Sequence, residues 1–184
     1  RSVRSEAQVL MGADLRLNGN APLGPVLSAM IDSVEASGHP SATVTSAVSM
    51  ARVPASDVVR LIQLRAVEGG WPFYGEVDTR PASAWTRLAE PGVVLVDDAI
   101  VTQLGVEVGD SLTVGSATFR IEGVVQDIPT ELGLQTAIGP RVWMSEEDLA
   151  AADVVGFGSL ARYAAASQPS CRPRAGASMK SSRR

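Results

Sequence analysis

The sequence predicts an α+β fold, a β-α-β-β segment followed by a mostly β segment with short helices. Three observations carry that prediction. Residues 13–18 alternate, Leu15 and Leu17 against Asp14, Arg16 and Asn18, which is the period of a half-buried strand. Residues 22–36 then switch to spacings of three and four, with Leu23, Val26, Leu27, Met30, Ile31 and Val34 forming the apolar stripe of an amphipathic helix. Finally, residues 111–125 hold a hairpin, in which Leu112 and Val114, then Phe119 and Ile121, alternate with polar residues around Gly115-Ser116.

The elements follow in chain order. Asn18-Gly19-Asn20 ends the first strand, and Gly38 and Pro40 stop the helix. Residues 41–53 are rich in Thr and Val and place Val44, Val48 and Met50 on one parity, which predicts a long strand. Pro54-Ala55-Ser56 turns the chain, and residues 57–67 return as its partner, with Val58, Ile62, Leu64 and Ala66 on one face. The run Glu68-Gly69-Gly70-Trp71-Pro72-Phe73-Tyr74-Gly75 is a break punctuated by glycine and proline. Beyond it, Trp85 and Leu88 lie in a short helical or irregular stretch, and residues 93–96 form an apolar strand. Asp97 or Asp98 can cap a helix over residues 99–104, which Gly105 terminates. Residues 142–144 form a short strand, and Ser145-Glu146-Glu147-Asp148 has the form of a capping box that opens a helix over residues 146–152.

This pattern divides the chain into a β-α-β-β segment at 1–75, a mostly β segment at 76–163 with its hairpin at 111–125, and a basic tail at 164–184. The tail has no hydrophobic periodicity and is expected to be disordered. All 20 acidic residues precede residue 161, whereas the last 24 residues contain six of the 16 basic ones. An acidic body does not attract phosphate backbones, so nucleic-acid binding is not expected of the folded part. With 45% apolar and 20% charged residues, the chain can bury a core. Its longest strongly apolar run, residues 93–96, is far short of the ~20 residues that span a bilayer.

No constellation for catalysis emerges. His39 is the one histidine and sits in a turn between Gly38 and Pro40, where it reads as a solvated turn residue. Gly156-Phe157-Gly158 lacks the third glycine of a dinucleotide fingerprint, and there is no Gly-Lys-Ser/Thr phosphate loop. Asp97-Asp98 and Glu146-Glu147 are paired carboxylates, but both adjoin helix starts and are read as caps. Asp110 shapes the turn into the hairpin, and Cys171, the single cysteine, lies in the tail. No catalytic residue, metal ligand or cofactor is therefore assigned. The one candidate contact patch is the aromatic cluster Trp71, Phe73 and Tyr74, for which core packing at a junction is the competing reading.

Several motifs together resemble a known family. Gly12-Ala13-Asp14-Leu15, the β-α-β-β segment, the run from Ala66 through Trp71-Pro72-Phe73-Tyr74 to Glu76, and Val94-Leu95-Val96-Asp97-Asp98 are similar to the periplasmic core domain of FtsX-like ABC-transporter permeases. That group contains MacB and the lipoprotein-release permeases. Residues 104–115 and 119–125 carry the same resemblance, and Gly139-Pro140-Arg141-Val142-Trp143-Met144 looks most like the first such domain of YbbP-type permeases. The resemblance covers residues 8–163.

It implies a MacB-like, non-catalytic domain on the periplasmic face of a bacterial membrane, carried by an integral membrane protein. A cytoplasmic ABC ATPase would act through transmembrane helices not present here, and the domain would pass that motion to a lipid, lipoprotein or other amphiphile, or to an envelope protein. From Ala164 the chain departs from the family, as a truncated or frame-shifted reading or a natural basic extension would. Two other readings of the residues stay open: a freestanding periplasmic or secreted interaction module without an ATPase, and a small hydrolase using Asp97 or Asp98.

Overall fold

The computed structural model describes residues 15–19, 24–72, 76–128, 139–155 and 161–167. Among these, the strands are β1 (Leu15–Gly19), β2 (Ser41–Arg52), β3 (Val59–Gly69), β4 (Asp78–Arg80), β5 (Val93–Asp97), β6 (Ser111–Val114), β7 (Ala117–Asp127), β8 (Arg141–Ser145) and β9 (Arg162–Ser167). The helices are α1 (Pro25–Ala36), α2 (Asp98–Leu104) and α3 (Glu146–Ala152), with a 3-10 turn at Trp85–Ala89. This is the mixed, strand-dominated α+β class that the sequence predicts.

Six of the strands pair in a closed circuit. β2 pairs with β3, β3 with β8 in parallel, β8 with β5, β5 with β7 in parallel, and β7 with β6. Short β6 then closes the ring, because Thr113 and Val114 pair with Arg52 and Ala51 at the far end of β2. Alternation decides what fills it: Ala47 and Ala51 of β2, Ile62, Leu64 and Ala66 of β3, Val94 and Val96 of β5, and Val142 and Met144 of β8 all enter one buried cluster. α2 follows β5 directly and α3 follows β8, and since those strands are antiparallel the two helices close opposite ends of the ring. Their apolar residues Ile100, Leu104, Leu149 and Ala152 complete the same cluster.

The caps expected from the sequence are present. Asp97 caps α2 by accepting from the Ile100 N–H at 3.0 Å, and Gly105 ends it at φ 64°. Ser145 caps α3 by accepting from the Asp148 N–H at 3.0 Å. Asp148 does not complete the box; its buried carboxylate accepts from the Gly92 N–H at 2.9 and 3.2 Å and ties α3 to the start of β5. Gly115 turns the β6–β7 hairpin at φ 58°, and a side chain there would collide with the Ala152 carbonyl.

Three observations modify the sequence reading. β9 runs to Ser167, so residues 164–167 of the expected tail are strand, held between β1 and the first half of β2. Strands on both sides of residue 75 share the sheet, through β3 with β8 and β2 with β6. α1 begins at Pro25, and its expected apolar stripe is only partly covered: Ile31 and Val34 are half-buried, whereas Val26 is 73% and Met30 57% exposed. Phe73, Tyr74, residues 156–160 and residues 168–184, with Cys171, lie outside the described residues.

Candidate functional site

On the outer face of β5, β7 and β8 a second buried cluster gathers Ala84, Leu88, Leu95, Val125, Ile128 and Trp143. A β-bulge makes this possible. Val94 is opposite Ile121 but Leu95 is opposite Gly123, so Glu122 is an extra residue in β7 and the strand's outward positions are re-aimed. Gly123 must be glycine, because an added Cβ would strike the Ala84 side chain and lie 3.1 Å from the Arg80 carbonyl. Glu122 is itself buried and is held by Arg87 and, at 2.6 Å, by Arg120.

Trp71 sits on the rim of this cluster, half-buried, with its ring 5.9 Å from that of Trp85 and tilted by 48°. One member of the expected aromatic patch is thus brought against a buried cluster while keeping an open side. Phe73 and Tyr74 lie outside the described residues.

Bordering this cluster, and sharing Val125, Ile128 and Trp143 with it, is an open cavity of about 270 Å3 at the C-terminal ends of β5 and β7 and the start of β8. Asp97, Asp98 and Asp127 supply its carboxylates, Arg141 its guanidinium and Trp143 its aromatic wall. Asp97 is already committed: one carboxylate oxygen caps α2 and the other accepts from the Arg141 N–H at 2.8 Å. Asp98 is exposed and reaches Arg80 at 3.8 Å. The Arg141 guanidinium lies 5.7 Å from the centre of the Trp143 ring. Trp143 is 2% exposed, and its indole N–H has no hydrogen-bond partner among the described residues.

The cavity residues Gln126, Asp127, Arg141 and Trp143 are not assigned to a site by the sequence, although Arg141 and Trp143 belong to a motif that carries the family resemblance. Arg141 and Trp143 carry a weak signal, since their i, i+2 spacing puts them on one face of β8. Nothing local links that strand to Asp127.

The remaining candidates have structural surroundings. Asp110 accepts from the Glu107 N–H at 2.9 Å and shapes the turn before β6. His39 lies just after α1, its backbone N–H bonded to the Val34 carbonyl. Glu146 opens α3 beside Thr45 and Glu68. Burial pushes its carboxyl pKa above the ordinary range, the Thr45 hydrogen bond opposes this, and the Glu68 charge adds to it. At Trp85–Ala89 and the residue after it, the Arg87 guanidinium holds the Glu90 carboxyl below the usual range. Among the described residues no three His, Cys, Asp or Glu side chains converge as metal ligands, and no helix is long and apolar enough to cross a membrane.

No family model matches the chain. Over 95 residues, 52% of its length, the chain is 30% identical to the uncharacterized ABC transporter permease YbbP of Escherichia coli K12, and the matched region is 11% of that permease. The chain therefore spans about a tenth of the relative it matches. Among solved structures it is similar to the extracellular domain of the noncanonic ABC-type transporter YknZ from Gram-positive bacteria, with 16% identity, a TM-score of 0.45, and coverage of 70% of this chain and 65% of that one. The resemblance drawn from the sequence motifs is to this same class, the permeases of ABC transporters.

Proposed function

We propose that the chain is the extracytoplasmic domain of a bacterial ABC-transporter permease, non-catalytic in itself. In this reading it couples movement of membrane helices, driven by a cytoplasmic ATPase, to export or release of a lipid, lipoprotein or other amphiphile. The observation that carries this reading is the pairing of edge strand β1 with β9, and of β9 in turn with β2. β1 and β9 are antiparallel with Leu15 opposite Ser167, and Ser41 of β2 is opposite the same Ser167. The chain thus arrives through β1 and departs through β9 side by side at one corner of the sheet. A displacement imposed there passes through backbone hydrogen bonds into β2, whose 12 residues reach roughly 40 Å at ~3.3 Å each. At its other end β2 joins the closed ring, which a stiff core makes suitable for moving as a body.

Trp71, with Phe73 and Tyr74 beside it in sequence, is the proposed contact patch for the envelope protein or lipid moved. The single histidine, placed in a turn, supports a mechanical part over an enzyme.

The test is to sequence the genomic DNA flanking this reading frame and translate it in every frame. Apolar segments of ~20 residues on both sides and a neighbouring ATPase gene are the expected result. A signal peptide directly upstream, a stop after Arg184 and no ATPase gene would replace the permease with a freestanding envelope module.

A further inference from the structure

Two apolar surfaces are left uncovered by the fold. The first is on the wall of the ring, where Met50 of β2 is opposite Leu61 of β3 and Val59, two residues before Leu61, shares its face; they are 51%, 43% and 39% exposed. Ala51 and Ile62, the next residues along, are fully buried on the other face, so strand alternation fixes these three outward. Arginines border the surface. Arg52 is opposite Val59, and the Arg60 guanidinium donates to the Val59 carbonyl at 3.2 Å. Asp57 stands 3.2 Å from Arg52, in a pair that is exposed on both sides. The second surface is the outward arc of α1. Val26 and Met30 are one turn apart and exposed, Ala29 and Ser33 beside them are small and exposed, and Asp32 is one turn on from Ala29. α1 contains Asp32 and Glu35 and no basic residue.

The two surfaces match each other but do not meet within one molecule. Glu35, near the end of α1, accepts from the Ser41 hydroxyl at the start of β2, whereas Met50 is nine residues further along that strand, roughly 30 Å at ~3.3 Å each. One surface is apolar with a basic edge and the other apolar with an acidic edge, so each supplies what the other lacks. A bilayer is a poorer match, because up to residue 160 the chain has twice as many acidic as basic residues, which an anionic membrane repels. We propose that the occupant is a second copy of this chain: α1 of one molecule lies on the Met50, Leu61 and Val59 surface of the other, with Asp32 toward Arg52 and Arg60. One helix face on two strands is small beside the ~1,200–2,000 Å2 of a stable complex, so half-association falls above ~100 µM and the chain is a monomer in dilute unfolding experiments. The proposal rests on these two surfaces and is independent of the permease reading.

The test is methyl NMR of the whole chain carrying 13C-labelled methionine, because Met30 and Met50 report one on each surface and buried Met144 is an internal control. Between about 20 µM and about 1 mM the Met30 and Met50 signals are expected to shift together along one saturable curve while Met144 stays in place. Met30→Glu should abolish the Met50 shift, and Met50→Glu/Leu61→Glu the Met30 shift; all three side chains are exposed, so the variants keep their fold. Adding unlabelled Met30→Glu chain to the labelled Met50→Glu/Leu61→Glu chain should restore the Met30 shift, since one intact helix then meets one intact strand surface. Arg52→Glu/Arg60→Glu is expected to weaken association at least about tenfold, and mixing that variant with Asp32→Arg to recover it. Signals unchanged by concentration would overturn the proposal, as would a Met50 shift that survives Met30→Glu, or no recovery on mixing. Vesicles of phosphatidylcholine and phosphatidylglycerol that shift both methyls at ~20 µM protein would also overturn it and make a membrane the occupant.

Discussion

Glu146 is at the N-terminus of α3, where the helix dipole favours its negative charge, yet burial beside Thr45 and Glu68 favours its protonated form. A carboxyl whose folded-state pKa lies above its unfolded value binds its proton more tightly in the folded state. Its ionisation therefore costs no stability at pH values below the unfolded pKa, and the cost grows as pH rises through the folded one. Glu146→Gln is expected to raise the urea midpoint relative to the parent at pH 7 and to lose that advantage near pH 4. An equal difference at both pH values would show that the burial does not act through charge. At this scale the sequence conveyed the type of residue and its place at a helix start. It did not convey Glu68, which β3 brings into range from 78 residues away and whose neighbour in the sheet, Thr43, also contacts it at 3.4 Å.

Helix α2 illustrates how much one cap can hold. Asp97 ends β5, caps the helix, and accepts from the first N–H of β8, so strand, helix and neighbouring strand meet on one carboxylate. Asp97→Ala is expected to cost about 1–3 kcal/mol in urea unfolding, while Asp98→Ala, which breaks an exposed ion pair, stays within about 0.5 kcal/mol. Equal effects would mean that the cap is dispensable. Caps, turns and alternating strands were legible because their chemistry is local, as Gly105, Gly115 and the Leu112–Val114 alternation show. β9 was not legible, because Ala164, Ala165 and Ala166 have no apolar–polar period. Those small residues are strand through the hydrogen bonds that β1 and β2 offer on either side.

For the molecule as a whole, stability is concentrated in the closed ring and its two helical ends. Leu64 is fully buried within it, whereas Met30 on α1 is 57% exposed. Leu64→Ala should lower unfolding stability by about 2–5 kcal/mol, and Met30→Gln should leave it within about 0.5 kcal/mol. A large loss on Met30→Gln would reveal that α1 is covered in solution. The sequence by itself determined the α+β class, the long β2–β3 pair, the starts of α2 and α3 and the hairpin turn, because each depends on residues a few positions apart. Only the tertiary structure decided that β6 closes the ring against β2, that β9 extends to Ser167, and that Asp98, Asp127 and Trp143 wall one cavity. Those arrangements depend on which strand edges meet, and strand alternation states which face is apolar without naming the edge that will pair with it.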